Sequence, residues 1–165
     1  MSVSPPTTPL AVRAAGIGKT FSTAGDDVHA LTGVDLEVAA GEFVSLIGPS
    51  GCGKSTLMRL IADLDTPTEG TLEIFGKTPE RARVAQDYGI AFQQAGLLPW
   101  RTVAANIALP LEVHGQGRTE RDARVRELTH LVGLQEFTER YPDELSGGMQ
   151  QRVAIARALA ARPKL

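Results

Sequence analysis

The segment that most constrains this chain is residues 48–56, whose sequence GPSGCGKST fits the pattern G-x-x-x-x-G-K-[ST]. Residues 42–47 form a short apolar run before it, which predicts a buried strand. Residues 55–62 follow it and predict a helix, because Leu57, Leu60 and Ile61 share one face. A strand, a glycine-rich loop and a helix in this order are the context that a phosphate-binding loop requires.

The residue types of this loop suit a nucleoside triphosphate. Its glycines can adopt positive φ and let the backbone approach a ligand, and its N–H groups lie at the positive end of a helix. Lys54 is expected to reach the β- and γ-phosphates, and the Ser55 hydroxyl to help hold Mg²⁺. The predicted triphosphate site comprises Gly48, Pro49, Ser50, Gly51, Cys52, Gly53, Lys54, Ser55 and Thr56.

Composition narrows the class of protein. The 165 residues suit one domain, or a domain with a small subdomain, and the 42% hydrophobic content supports a core. A net charge of −2 argues against a general nucleic-acid binder, so we expect no nucleic-acid partner. There is no apolar run of membrane-spanning length, no secretory pattern in residues 1–9, and one cysteine. These features predict a soluble, cytoplasmic α/β protein.

The order of the predicted elements gives a domain division. Residues 1–9 are rich in Pro, Ser and Thr and predict a disordered tail. Residues 10–95 contain the phosphate loop and strand patterns at 10–21 (broken by Gly16 and Gly18), 29–38, 71–76 and 88–93, and they predict the nucleotide-binding core. Residues 96–162 predict a helical subdomain, with helices from Thr102 to Leu109, from Thr119, and over 149–161.

A second anion-binding feature lies at the start of the last helix. Ser146 is a good N-cap, and Gly147 and Gly148 would expose N–H groups there. Alone this pattern is weak, but together with the phosphate loop it resembles the ATP-binding subunits of ABC transporters, from about Ala11 onward. The resemblance implies the fold of an ABC-type nucleotide-binding domain, a P-loop NTPase with an antiparallel β arm and a helical subdomain. The segment that resembles the family's signature motif comprises Leu145, Ser146, Gly147, Gly148, Met149 and Gln150.

The resemblance also implies roles for residues outside the phosphate loop. Phe21 matches the aromatic residue that stacks on adenine, and the alternative is a core Phe at a strand end. Gln93 matches the glutamine that contacts Mg²⁺ and the attacking water, and its loop senses the membrane partner. Gln94 fits this role less well, because the family's glutamine directly follows the aromatic residue, here Phe92. The signature segment would close on ATP held by a second copy or by a second ATP-binding subunit.

Within that family, residues 92–103 most resemble the corresponding segment in importers for nitrate, sulfonate, taurine and related small solutes. Leu97, Leu98 and Trp100 form an apolar cluster that suits a groove for a permease helix. The alternative is a loop packed on the helical subdomain. The implied partners are transmembrane permease subunits and, indirectly, a solute-binding protein, and the implied location is the cytoplasmic face of the cell membrane.

Two features depart from the family pattern. The family's Ala-Gly-Leu after the first helix is here Ala62-Asp63-Leu64, for which we expect a modest stability cost. The sequence ends at Leu165, where the family's strand with the Mg²⁺-binding Asp and the catalytic Glu begins. The expectation is a C-terminally truncated subunit with an incomplete core sheet, exposed apolar surface, no catalytic base and negligible ATP hydrolysis.

Three other functions remain open. The chain could belong to a non-transport ABC-type ATPase, or it could be an inactive truncated nucleotide-binding fragment. A P-loop kinase or GTPase is the third, although such a protein has no reason to carry the segment from Leu145 to Arg152.

Overall fold

The computed structural model describes residues 9–22 and 25–165. Apart from Pro9, the predicted tail therefore lies outside the described residues. The chain forms two compact units, of which one runs to Tyr88 and includes Lys164 and Leu165, and the other is Gly89–Pro163. The functional division at residues 95 and 96 stays a prediction.

The first unit contains an antiparallel sheet with the strand order β2-β1-β3. Its strands are β1 (Leu10–Ser22), β2 (Asp27–Ala39) and β3 (Glu69–Ile74). The sequence indicated a break at Gly16 and Gly18, but β1 continues through both glycines and its register shifts there instead. Gly16 has a φ of 59°, a conformation that glycine adopts without strain. The described strands thus form the predicted antiparallel β arm.

Five α-helices and two 3-10 turns complete the described structure. They are α1 (Lys54–Ile61), α2 (Pro79–Val84), α3 (Val103–Val113), α4 (Arg118–Leu131) and α5 (Gly147–Ala158), with the 3-10 turns Gln135–Phe137 and Pro142–Glu144. In the described parts of the chain, none of these helices has the length and apolar character needed to cross a bilayer.

The core of the first unit lies between the sheet and α1. Ile17 of β1, Ile74 of β3 and Leu60 of α1 are completely buried. The predicted apolar face of α1 is confirmed, since Leu57, Leu60 and Ile61 are its buried residues. Burying a side chain of this size contributes about 1.5–3 kcal/mol. This packing therefore fixes α1, and with it the phosphate loop, against the sheet.

Two predicted strands are absent. Residues 42–47 and 88–93 have no regular secondary structure and pair with none of the described strands. Phe43 is 94% exposed and Ile47 93% exposed, so the prediction of a buried strand at 42–47 is wrong for this chain. An apolar run becomes a strand only when neighbouring strands form hydrogen bonds with its N–H and C=O groups, and the described residues provide no such neighbour there.

Asp63, after the end of α1, has the backbone conformation on which the expected stability cost rests, and the cost itself stays a prediction. Asp63 has a φ of 48°, in the left-handed region that its position after the helix requires. This conformation costs a non-glycine residue about 1–2 kcal/mol. The Arg83 side chain of α2 donates through Nε to Asp63 Oδ2 at 2.8 Å, and this ion pair offsets part of the cost.

The helices of the second unit enclose a separate core. Thr102 caps α3 as predicted, with its hydroxyl accepting from Ala105 N at 3.3 Å. The predicted end near Leu109 is wrong, because α3 continues through Pro110 to Val113. Leu111, beyond the proline, is 1% exposed, and its burial favours this continuation. The core also contains the buried residues Val103, Ile107, Val125, Leu128, Leu134, Leu145, Val153 and Ala156.

Candidate nucleotide site

The phosphate loop requires glycine for two different reasons. Gly51 and Gly53 have φ values of 82° and 93°, whereas Gly48 is not among the glycines with positive φ. At Gly48 an added Cβ would lie 2.8 Å from Cys52 Sγ, and at Gly53 it would lie 2.6 Å from the carbonyl oxygen of Ala30 in β2. Backbone conformation and close approach therefore both restrict this loop to glycine.

The Lys54 ammonium lies over the carbonyl groups that open the loop. Its Nζ donates to Gly48 O at 2.8 Å and to Pro49 O at 2.7 Å, and lies 3.4 Å from Cys52 Sγ. These bonds hold a positive charge at the start of α1. Ser55, the next residue, is exposed, so its hydroxyl is accessible to a ligand.

No side chain caps the start of α1. Its N-cap is Gly53, which makes no side-chain hydrogen bond, and the first turn contains no acidic residue. The first N–H groups of a helix need partners, and they carry the positive end of the helix dipole. Together with Lys54, this uncapped start presents a concentrated positive charge, which suits a polyphosphate.

Phe21 lies near the end of β1 and is 38% exposed. It pairs with Val28 of β2 in the sheet register and is not a member of the buried core. The Nζ atom of Lys19 lies 4.9 Å from the centroid of its ring. A half-exposed aromatic ring provides a flat apolar surface on which a base can stack. The ring is therefore partly exposed and lies outside the core, and its adenine-stacking role stays a prediction.

Gln93, in the second unit, is exposed and lies in a segment without regular structure. Two side chains of α5 hold the main chain on either side of it. Gln151 donates through Nε2 to Phe92 O at 3.0 Å, and Arg157 donates to Ala95 O at 2.8 Å and to Gly96 O at 2.9 Å. Burial lowers the pKa of Arg157 from its usual value. The sequence analysis does not identify Gln151 or Arg157, because no local pattern indicates that side chains of a helix form hydrogen bonds with a segment distant in the chain.

The predicted permease-contact segment is organised by Asn106 of α3, which is completely buried. Its Oδ1 accepts from Leu98 N at 2.8 Å, and its Nδ2 donates to the carbonyl oxygens of Leu98, Arg101 and Thr102 at 2.9–3.1 Å. Leu97 packs against the core of this unit, whereas Trp100 is 72% exposed. The segment is thus a rigid loop that presents Trp100 to solvent.

The start of α5 divides the predicted signature segment into two groups. Ser146, Gly147 and Gly148 are exposed, and Ser146 Oγ accepts from Met149 N at 3.3 Å. Leu145 is instead buried in the core, Met149 packs partly against it, and Gln150 donates through Nε2 to Pro142 O at 2.8 Å. The first group is therefore the most exposed part of the segment.

Comparison with protein families gives one clear match. A model described as ABC transporter matches residues 31–165. A bicarbonate transport ATP-binding protein (CmpC) of Synechocystis is 51% identical over 94% of this chain and 24% of its own length. A methionine import ATP-binding protein (MetN 3) of Shouchella clausii is 50% identical over 91% and 46%, and a nitrate import ATP-binding protein (NrtC) of Synechococcus elongatus is 50% identical over 86% and 21%.

A solved structure has the same fold. The ATP-binding cassette MJ0796, in a dimeric post-hydrolysis state bound to ADP and Pi, superposes with a TM-score of 0.84 at 41% identity. The match covers 92% of this chain and 70% of that chain. This chain spans half or less of the length of the three curated relatives described above. The predicted P-loop fold is confirmed, and the truncation stays a prediction.

Proposed function

This chain belongs to the ABC transporter family, and from that premise we propose that it is the ATP-binding subunit of an importer. In this proposal, closure of an ATP-bound dimer drives a small solute through a separate membrane permease. The observation that carries the proposal is the start of α1. There Lys54, held on two loop carbonyls, adjoins N–H groups that no side chain caps.

ATP and Mg²⁺ fit the residues present. The loop from Gly48 to Thr56 would hold the phosphates, with Lys54 on the β- and γ-phosphates and Phe21 stacked on adenine. Ser55 would supply an oxygen ligand to Mg²⁺, which takes oxygen ligands and is bound in part through the substrate's phosphates. The resemblance assigns a second such ligand to Gln93. The described residues contain no group of three or more His, Cys, Asp or Glu that could hold a metal ion. Bound ATP would supply the charge and free energy that close the dimer.

The signature segment would act on ATP held by another subunit. Its exposed group, Ser146 with Gly147 and Gly148, combines a helix start with backbone that no side chain covers. Such a surface can approach a phosphate closely. The partner would be a second copy or another ATP-binding subunit, and the dimeric state of the similar cassette MJ0796 supports this part of the proposal.

Leu97, Leu98 and Trp100 would form the permease contact. Exposed aromatic side chains on a rigid loop are typical of binding hot spots, and Trp100 has that setting. Contact with permease subunits would place the chain at the cytoplasmic face of the membrane, with a solute-binding protein as an indirect partner. The 92–103 segment suggests a nitrate-, sulfonate- or taurine-like solute, while relatives of nearly equal identity are named for bicarbonate transport, methionine import and nitrate import.

Binding of a fluorescent ATP analogue in the presence of Mg²⁺ tests the central claim. The full chain is expected to bind the analogue, and added ATP should displace it. The rate of ATP hydrolysis should be negligible. No binding would contradict the proposal. Steady hydrolysis that disappears in Lys54→Ala would instead contradict only the expectation of negligible turnover.

The transport role needs a separate test. Coexpressed permease subunits are expected to copurify with this chain. They should no longer copurify with the Trp100→Ala variant, which should still bind ATP. Retention of ATP binding without any permease association would favour the non-transport ABC-type ATPase or the inactive nucleotide-binding fragment.

A further inference from the structure

Lys19 is a buried cation that the proposed site does not yet use. It lies on β1 and is 9% exposed. Its Nζ donates to Asp65 Oδ1 at 2.5 Å and to Thr66 O at 2.8 Å. A lysine ammonium has three donors, and the ring of Phe21, 4.9 Å away at its centroid, is the remaining neighbour that the structure records.

Asp65 is an effective partner for this cation. The hydrogen bond from Lys19 is the main cause that lowers the pKa of Asp65, and the nearby charges of Lys19 and Arg59 act in the same direction. Thr66 N also donates to Asp65 Oδ1 at 2.9 Å. The carboxylate is therefore ionised at neutral pH, and the ion pair fixes the position of the ammonium beside the ring.

Backbone contacts reinforce the same connection. Thr68 N donates to Gly18 O at 2.9 Å, and Thr68 Oγ1 lies 3.1 Å from both Gly18 O and Thr20 N. The segment of β1 on either side of Lys19 is thus bound to residues 65–68, which follow α1 closely in the chain. Because α1 begins at Lys54, one rigid path connects Phe21 with the phosphate loop inside the first unit.

We propose that Lys19 is a positioning residue for the nucleobase, which holds the Phe21 ring in register with the phosphate loop through its ion pair with Asp65. A cation against an aromatic ring is attracted to its electron-rich face and restricts the ring's motion. The proposal rests on the nucleotide site described above. The inference adds that the free energy of stacking the base on Phe21 depends on Lys19, whereas binding of the phosphates does not.

The test compares ATP with inorganic tripolyphosphate, which has the phosphates but no base. The main variant is Lys19→Met/Asp65→Asn, which removes both charges and leaves no unpaired buried ion. We expect the Kd for ATP to rise about fivefold to tenfold, the size of a lost cation–π contact with its ordering effect. The Kd for tripolyphosphate should stay within about twofold of its original value.

Phe21→Ala provides the coupling measurement. In that background the Lys19 and Asp65 substitutions should cause no further weakening of ATP binding, because the ring on which they act is gone. Lys19→Arg keeps a cation at this position, and we expect this variant to retain most of the original protein's affinity for ATP. Asp65→Asn alone, which retains the Lys19 charge, should weaken ATP binding moderately and leave tripolyphosphate binding unchanged, and it carries the test if the double variant does not fold.

Three results would overturn the inference. They are a parallel loss of ATP and tripolyphosphate binding, unchanged ATP binding, or an equal effect of the substitutions with and without Phe21. Lys54→Ala separates this failure from failure of the proposed function. If neither ligand depends on Lys54, the nucleotide site itself is wrong, whereas dependence on Lys54 without base-specific effects of Lys19 rejects only the inference.

Discussion

Two helices of this protein begin at glycine-rich segments, and the two starts are built differently. Helix α1 begins after Gly53, which has a φ of 93° and a neighbouring carbonyl within 2.6 Å of any added Cβ. Helix α5 begins after Ser146, whose hydroxyl caps Met149 N. Gly147 and Gly148 there have no positive φ, and no atom lies within 4 Å of an added Cβ.

The difference separates glycines that the fold requires from glycines that it does not. At Gly53 the chain's own backbone excludes any side chain, so folding alone explains the residue. At Gly147 and Gly148 the folded chain would accept alanine, and alanine is the better helix former. Their presence agrees with the proposal that this surface is kept bare for a molecule outside the chain.

The largest expected effect is that of Lys54→Ala on ATP binding. The substitution removes the charge at the uncapped start of α1, and charge-assisted hydrogen bonds contribute about 1.5–3 kcal/mol each. We expect the Kd for ATP to rise about a hundredfold or more, measured by titration calorimetry. Lys164→Ala, a lysine of the same unit that pairs with Asp87, is the control and should leave the Kd unchanged. A shift within threefold for Lys54→Ala would contradict the assignment.

The next effect concerns stability and compares two glycines of one loop. Gly53→Ala places a Cβ against the Ala30 carbonyl at positive φ, and we expect a loss of about 2–3 kcal/mol in the free energy of unfolding. Gly51→Ala also has positive φ but meets no atom within 4 Å, so only about 1 kcal/mol should be lost. Urea denaturation measures both values, and equal losses would show that close packing against β2 is unimportant.

The corresponding change in α5 should have the opposite sign for stability. We expect Gly147→Ala and Gly148→Ala to raise the free energy of unfolding by about 0.5–1 kcal/mol each, because they improve helix propensity without a clash. ATP-dependent association of subunits should nevertheless weaken about tenfold, since the bare surface is lost. Thermal denaturation and light scattering with ATP report the two quantities. Unchanged association would remove the argument that these glycines serve a partner.

The last prediction concerns Ser146→Ala, for which we expect an effect on stability alone. It removes the side-chain cap on Met149 N and should cost about 1 kcal/mol of stability. Ser146→Thr keeps the hydroxyl and should recover most of that loss. If urea denaturation shows no change in stability for Ser146→Ala, the Ser146 hydroxyl does not stabilise α5, and the start of α5 is in effect as uncapped as that of α1.

Much of the candidate site could be predicted from sequence because its motifs are local. The helix start after Gly53 and the cap at Ser146 depend on residues close in the chain, and the structure has both where the patterns predict them. The helix α2 was missed although Thr78 and Pro79 form an ordinary helix start, with Thr78 accepting from Arg81 N. That error was one of recognition, since the necessary information is local.

Other features could not be predicted because they depend on distant partners. Asn106 forms hydrogen bonds with the main chain at Leu98, and Arg157 does so with the segment after Gln93. Lys19 forms an ion pair with Asp65, 46 positions away in the chain. A hydrogen bond of this kind depends on where the fold brings two segments together. No periodicity or spacing within either segment encodes it.

By itself, the sequence determined the phosphate loop, the apolar face of α1 and the glycine-rich start of α5, since each follows from the conformational preferences of adjacent residues. Only the tertiary structure decided that residues 42–47 form no strand, that α3 continues past Pro110, and that the Lys19 ammonium lies over the Phe21 ring. The physical reason is that a strand needs neighbouring strands, a helix is extended by burial, and a buried charge needs a partner.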